Sequence, residues 1–309
     1  MVHEAFQKFK GNLELNDTFD DIIQRRHNAV RSVIENNGSG VETKLIGSLQ
    51  RQTRIQPKEG DIFDIDILVV LGSFVRWLQV GETGGISPQA AMGELRRIVS
   101  ESERYDSMNP QQDQPTVSFK YQDNTKVELV PAYLDQIGSS PDGTPHSPKG
   151  RAYWIPKDGR WVLADYDHDA DHITRHNKLT DGWLIPTIKM LKTAKREYFP
   201  LLDSFHLEIM AAHIVPAVVV WYKQKNASIS FPALITDFFN YAGSYLENPI
   251  KIPNSHSPHC SLDAAKKTAV SKTLEQIKDH CNGIEKLGSD TAKLKAWRAL
   301  FGEAFPSQV

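Results

Sequence analysis

"KLIGSLQRQTRIQPKEGDIFDIDILVV", residues 44–70, sets a Gly-Ser pair ahead of an apolar run carrying two carboxylates two positions apart. Side chains alternate across a strand, so in a strand over 64–71 Asp64 and Asp66 share one face, while Phe63, Ile65 and Ile67 point to the other. Two carboxylates side by side raise each other's pKa unless a cation lies between them. Hard divalent ions such as Mg²⁺ take oxygen ligands of this kind and bridge to phosphates. An edge strand with a solvated polar face carries the same pattern, so the pair alone decides nothing. The residues upstream narrow it. Gly47 and Ser48 close a predicted strand over 41–46, just before a short helix or turn. A glycine lets the backbone approach a phosphate closely, a helix start offers free N–H groups, and the Ser48 hydroxyl adds a donor. Asp61 stands an odd number of residues from Asp64, which puts it on the opposite face or in the preceding loop.

Outward from this stretch, apolar residues between Thr18 and Asn37 recur at helical spacing, and "NNG" supplies a stop. Residues 87–103 read as a second helix with Pro88 near its first turn. "TVSFKY" and "KVELVPAY" alternate around "QDNT", the pattern of an antiparallel hairpin. Its second strand puts Glu128 on one face with Lys126 and Val130, where it can supply a third carboxylate; an exposed edge-strand Glu is the alternative. The Pro- and Gly-rich stretch 137–161 reads as a surface excursion or lid. After about residue 165 the chain reads as successive helices. The expected fold is α+β: a mixed N-terminal lobe over 1–165, including the long helix, and an all-helical lobe over 166–309.

A net charge of −2 in 309 residues argues against a protein that tracks a long duplex, because such affinity comes from neutralising phosphates. A small ligand with a local basic patch is expected instead, and no long nucleic acid. Two cysteines make no disulfide framework. No uninterrupted run of eighteen apolar residues and no secretory leader is visible, so a cytoplasmic protein without a membrane span is expected. "ADYDHDADH" (164–172) lacks chelating or helical spacing and reads as a solvated acidic loop. "HSPHC" (256–260) with the His-Cys pair at 280–281 fits no standard zinc spacing.

Taken together, "GSLQRQTRI", "DIDILVV" and "VELVPAY" resemble the bacterial cGAS/DncV-like nucleotidyltransferases (CD-NTases) of the DNA polymerase β-type superfamily, relatives of oligoadenylate synthase. The family pattern is Gly-Ser, Arg and Thr shortly after, Asp-x-Asp on a strand, and a third acid before Val-Pro; that acid is often Asp and is Glu here. "WLIPTIKMLKTAKREYF" with "LLDSFHLEIM", and the ending "LKAWRALFGEAFPS", are similar to the family's helical half, so the resemblance covers about residues 41–306. It implies a two-lobed fold with the active site in the cleft. It further implies two Mg²⁺ ions (Mn²⁺ as a substitute) on Asp64, Asp66 and Glu128, Ser48 at the triphosphate, Lys192 and Ser204 reaching it from the helical lobe, and Phe205 stacking on a base.

The residues themselves add that Lys189, Lys192 and Arg196 fall on one helix face at i, i+3 and i+7, either a cationic wall or a solvated basic face. Ser204 also suits an N-cap, and Phe205 also suits a core position. The expected function is Mg²⁺-dependent synthesis of a cyclic di- or trinucleotide from NTPs such as ATP, with release of pyrophosphate. The family implies anti-phage signalling, a downstream effector reached through the product, and a regulatory protein partner. A template-independent transferase acting on RNA or protein, or a weakly catalytic nucleotide-binding module, would share much of this pattern.

Overall fold

The computed structural model describes residues 1–37, 42–71, 86–113, 115–135 and 152–308. Two helices lead in: α1 (Val2–Asn12) and the longer α2 (Asp17–Asn36). The Asn16 side chain accepts from the Phe19 N–H at 3.1 Å and caps α2. Strand β1 (Glu42–Leu45), the one-turn helix α3 (Gly47–Gln50) and strand β2 (Phe63–Val70) follow. Helix α4 (Pro88–Ser100) begins with Pro88 behind the N-cap Ser87, whose Oγ accepts from Ala90 N at 3.1 Å. Then come β3 (Gln111–Asp113), β4 (Thr116–Lys120), β5 (Thr125–Leu134), β6 (Tyr153–Lys157) and β7 (Arg160–Ala164). The strands expected at 41–46 and 64–71 and the hairpin of β4 with β5 are present, within a residue or two at their ends.

These strands make one mixed sheet in the order β1-β2-β5-β4-β3, with β6 and β7 continuing from the far end of β5. β2 and β5 run parallel at its centre, and the remaining neighbours are antiparallel. One face buries Phe63, Ile65, Ile67, Val127 and Leu129 against Ile23, Val30 and Ile34 of α2 and Met92 and Leu95 of α4. The other face carries the acids at one end and a small apolar cluster, with Leu68, Val70, Val130 and Ala132, at the other. Residues 72–85 and most of the stretch read as a lid (136–151) lie outside the described residues. Its last part is β6 and the start of β7, a hairpin whose Tyr153 and Ile155 are buried rather than a surface excursion.

The second lobe consists of α5 (Tyr166–Leu179), α6 (Leu184–Tyr198), α7 (Ser204–Gln224), α8 (Phe231–Ala242), α9 (Ala264–Glu285) and α10 (Asp290–Phe301). α5 corrects the reading of "ADYDHDADH" as a solvated loop. Asp167 and Asp169 lie in its first turn, where the helix dipole favours negative charge. Asp169 is buried, and its Oδ2 accepts from Ser257 Oγ at 2.7 Å, a partner 88 residues away. α7 is long and apolar enough to cross a membrane, yet it is largely buried as the central helix of this lobe.

One crossing departs from a division at residue 165. Helix α1 packs into the helical core, because Phe6 and Phe9 find their partners there: Phe6 lies 5.3 Å from Trp297 and 5.1 Å from Phe305, and Phe9 lies 4.7 Å from Phe301. A ring of that size buried on both faces contributes about 2 kcal/mol or more, so the first helix is held by the last.

Candidate active site

β2 reads buried-half-buried in strict alternation from Phe63 to Ile67, and the half-buried positions are Asp64 and Asp66. Its parallel neighbour β5 repeats the pattern with Lys126 and Glu128 half-buried. Register sets Asp64 beside Lys126 and Asp66 beside Glu128. The three acids expected to act together therefore stand on one sheet face, on adjacent central strands. Burial pushes the Asp66 carboxyl up to about 6, Glu128 adds to the rise, and Arg54 opposes it. Asp64 is raised as well, by burial first and with Glu128 adding, again against Arg54.

Gly47 lies directly against this pair. Its φ is +68°, and a Cβ built there would fall 2.5 Å from Asp66 Oδ2. Ile46 N donates to the Asp66 carbonyl at 3.0 Å, so the turn into α3 is fastened to the acidic strand itself. The Gly-Ser pair and the Asp-x-Asp pair are thus one local structure. α3 is a single turn, too short to develop a sizeable dipole.

The donor set fits a hard divalent cation: three carboxylates, no sulfur or imidazole, with Glu128 raising the pKa of both aspartates. As the side chains stand, no three His, Cys, Asp or Glu among the described residues converge on one point. The reason is visible at Glu128, whose Oε1 pairs with Lys126 Nζ. Its longer side chain can turn from that neighbour toward Asp66.

Beside Asp66 lies a cavity of about 510 Å³ between the lobes. Gly47, Ser48 and Asp66 form its floor, and Ser204 faces it from the start of α7. Its walls are cationic: Arg51 and Arg54 follow Ser48, and Lys192, Lys195 and Arg196 come from α6. The overall negative charge thus coexists with a concentrated basic site, of the size and character that takes a small polyanion.

Several expected residues are placed differently. Lys189 does not line the cavity; its Nζ bonds Glu14 Oε2 at 2.5 Å, because that side of α6 faces the connection between α1 and α2. Asp203, in extended backbone, is the N-cap of α7, so Ser204 is the first helical residue rather than the cap. Phe205 is partly buried against the helical core, and the Arg51 guanidinium covers its ring at 4.5 Å. Asp61, by contrast, sits in the loop before β2, one of the two places expected for it, and its Oδ2 accepts from Arg196 Nη1 at 3.0 Å.

The sequence reading also missed Glu208, which is fully buried at the back of the cavity. Arg51 Nε donates to its Oε2 at 2.7 Å and Lys192 Nζ to its Oε1 at 2.6 Å. Burial pushes the Glu208 carboxyl upward, but these two cations outweigh it and hold the group down at about 2. Its position one turn after Ser204, on the same face of α7, is the local signal that would have brought it to notice. Arg51 and Arg54 were within the quoted stretch without being singled out.

Residues 1–143 match the family described as Second Messenger Oligonucleotide or Dinucleotide Synthetase domain. A "probable cyclic nucleotide synthase" of Bacillus cereus (strain VD146) is 22% identical over 303 residues, covering 87% of this chain and 83% of that protein. Among solved structures, CdnC of E. coli MS115-1 with ATP superposes with a TM-score of 0.71 at 13% identity, over 98% of both chains. DncV cyclic AMP-GMP synthase of Vibrio cholerae gives 0.61 at 14% identity, over 98% of this chain and 87% of its own. Residues 1–143 thus match a second-messenger synthetase domain, and along nearly its whole length the chain shares the two-lobed polymerase β-type nucleotidyltransferase fold of CdnC and DncV.

Proposed function

We propose that the chain joins ribonucleoside triphosphates into a cyclic di- or trinucleotide, using divalent metal and releasing pyrophosphate. The observation that carries this reading is the pairing of Asp66 with Glu128 across β2 and β5, with Gly47 pressed against Asp66 at the floor of a cationic cavity. Asp64, Asp66 and Glu128 would hold Mg²⁺, or Mn²⁺ in its place. Bound there, the metal would lower the pKa of a ribose hydroxyl and stabilise charge on the departing pyrophosphate.

The chain's own residues supply position and field. Ser48 offers a hydroxyl beside the acids, and Ser204 offers another from the opposite lobe. The basic walls would neutralise a triphosphate and orient its α-phosphate for in-line attack. Phe205, covered on one face by Arg51, is a base platform only through its other face or edge. Ring closure would use the same residues twice, the linear product re-entering for a second transfer. DncV has been solved with such a linear intermediate, 5′ pppA(3′,5′)pG.

By family, the product would serve as a second messenger in cytoplasmic anti-phage defence, read by a separate effector. CdnC has also been solved in a complex with HORMA-deltaN, and a regulatory protein partner is proposed for this chain on that likeness.

The test is to incubate purified protein with all four NTPs and Mg²⁺ or Mn²⁺, and to identify products by mass spectrometry. Cyclic products lost in Asp64→Ala/Asp66→Ala support the reading. Nucleotide-tailed RNA or protein would replace it with a transferase acting on macromolecules, and binding without turnover with either metal would replace it with a nucleotide-binding module.

A further inference from the structure

The Gly47–Ser48 turn cannot hold its own shape. α3 has four residues and no side-chain N-cap, and the chain leaves it through Gln52, which stands in left-handed backbone at φ +59°. A single helical turn fixes several dihedrals for few hydrogen bonds and is unstable alone. Its start is fastened to β2 through Ile46 N and the Asp66 carbonyl. Its end is fastened through two successive residues. Arg51, just past the helix, pairs with Glu208. Gln50, the last helical residue, donates from Nε2 to Asp167 Oδ1 at 2.8 Å, in the first turn of α5.

Asp167 belongs to the acidic stretch "ADYDHDADH", yet its carboxylate is oriented by three other elements. Gln50 of α3 holds Oδ1, and the buried Tyr153 of β6 donates its hydroxyl to Oδ2 at 2.9 Å. Lys44 of β1 donates from Nζ to the Tyr153 hydroxyl at 2.8 Å and lies 3.5 Å from Asp167 Oδ2. The register of β1 with β2 sets Lys44 beside Leu68, on the acid face of the sheet and two positions beyond Asp66. An ionised carboxylate only accepts, so Gln50 has to present its amide nitrogen, and the orientation of that side chain is fixed as well. Such a charge-assisted bond is stronger than one between neutral groups. Lys44 balances the charge of Asp167, so the neutral Gln50 carries position toward the acids without adding to their repulsion.

We propose that Asp167 is a positioning residue for nucleotidyl transfer: oriented by Tyr153 and Lys44, it holds Gln50 and so seats the Gly47–Ser48 turn against Asp66. The role rests on the nucleotidyltransferase reading of the site. None of these four residues lines the cavity, so they act through the turn rather than on a substrate. The seat has little tolerance, since a Cβ on Gly47 would already lie 2.5 Å from Asp66 Oδ2, and a small shift of α3 displaces the carboxylate or breaks the contact. The hydrogen bond also crosses between lobes, from α3 of the sheet lobe to α5 of the helical lobe, so the placement of the turn follows the placement of the helical lobe.

The experiment measures steady-state pyrophosphate release, and hydrogen exchange at the backbone amides of residues 51–54, in full-length protein. Those amides close the turn by donating to the carbonyls of Gly47, Ser48 and Leu49, so their exchange reports its seating without catalysis. Gln50→Ala and Asp167→Ala should each speed that exchange severalfold and lower kcat about tenfold or more. KM for the NTP should change less than about threefold, because what is displaced acts on the reacting atoms. Gln50→Ala removes one hydrogen bond and should lower the thermal midpoint by no more than about 3 °C. The double variant should be no slower than the slower single one, since both act through one contact. Asp167→Asn keeps an oxygen for Gln50 and should recover most of kcat. The assignment is overturned if both single variants keep wild-type kcat below their midpoints, or if their losses multiply in the double variant. Wild-type protein that releases no pyrophosphate from any NTP would overturn the nucleotidyltransferase reading instead, and unchanged exchange in both variants would then overturn the seating role as well.

Discussion

Gly47 and Asp66 are in such close contact that no side chain fits between them: a Cβ on Gly47 would stand 2.5 Å from Asp66 Oδ2, on backbone with φ +68°. Gly47→Ala therefore does two things. It places alanine in left-handed backbone, at about 1–2 kcal/mol, and it pushes the Asp66 carboxylate out of position. Displacing a reacting group by about 1 Å costs on the order of a hundredfold in rate. The expected variant folds, with a modestly lowered urea midpoint, and releases pyrophosphate at most about one hundredth as fast as wild type. Full activity would detach Asp66 from the chemistry.

The contact also marks where the sequence was informative. Asp64, Asp66 and Glu128 could be assigned to one face because a strand's two-residue period is fixed by its covalent geometry, and the alternation is unbroken from Phe63 to Ile67 in β2 and from Thr125 to Leu129 in β5. Helical period is less binding. It put Lys189, Lys192 and Arg196 on one side of α6, but the width of that side let neighbouring residues meet different partners: Glu14, Glu208 and Asp61. α5 was missed because its first turns hold almost no apolar period, and what stabilises them is Ser257, far along the chain. The Arg51–Glu208 pair is the extreme case, since the two are 157 residues apart and no local pattern announces their pairing.

Asp66 should impose a pH dependence on the metal-free protein. Its carboxyl is near 3.8 in an unfolded chain and is raised to about 6 in the fold, chiefly by burial. The folded state then holds the proton more tightly than the unfolded state. The penalty is absent below about pH 4, grows as pH rises, and is complete above about pH 6. Asp66→Asn removes it. Urea unfolding without divalent metal should show the variant more stable than wild type by on the order of 3 kcal/mol at pH 7, and by much less at pH 4. Mg²⁺ should raise the wild-type midpoint at pH 7 and leave the inactive variant's unmoved. An Asp66→Asn protein that is less stable than wild type at pH 7 would mean that this carboxylate is already compensated.

If Glu128 holds metal as proposed, Lys126 competes with the ion for it. Their ion pair is partly exposed and worth at most about 1 kcal/mol to stability, so Lys126→Ala should fold normally. It removes a positive charge next to two proposed ligands, and it frees Glu128 to turn toward Asp66. The Mg²⁺ concentration for half-maximal pyrophosphate release should fall severalfold, while Glu128→Ala should abolish turnover. An unchanged or increased Mg²⁺ requirement in Lys126→Ala would remove Glu128 from the metal site.

Glu208 pairs with Arg51 of the sheet lobe and Lys192 of the helical lobe, and its loss leaves both cations buried without an anion. Truncations of that kind cost about 3–5 kcal/mol, so Glu208→Ala should unfold at markedly lower urea than wild type. The pH dependence runs opposite to that of Asp66. Glu208 falls from an ordinary 4.5 to about 2 in the fold, so its contribution is complete above about pH 4.5 and is lost as pH falls toward 2. The gap between wild type and Glu208→Ala should therefore shrink on acidification. A double-mutant cycle gives the sharper measurement. Because Lys192 and Glu208 are in direct contact, Lys192→Met and Glu208→Gln combined should destabilise by clearly less than the sum of the two. Additive costs would mean that the charges do not hold one another, and the lobes would then be joined by packing alone.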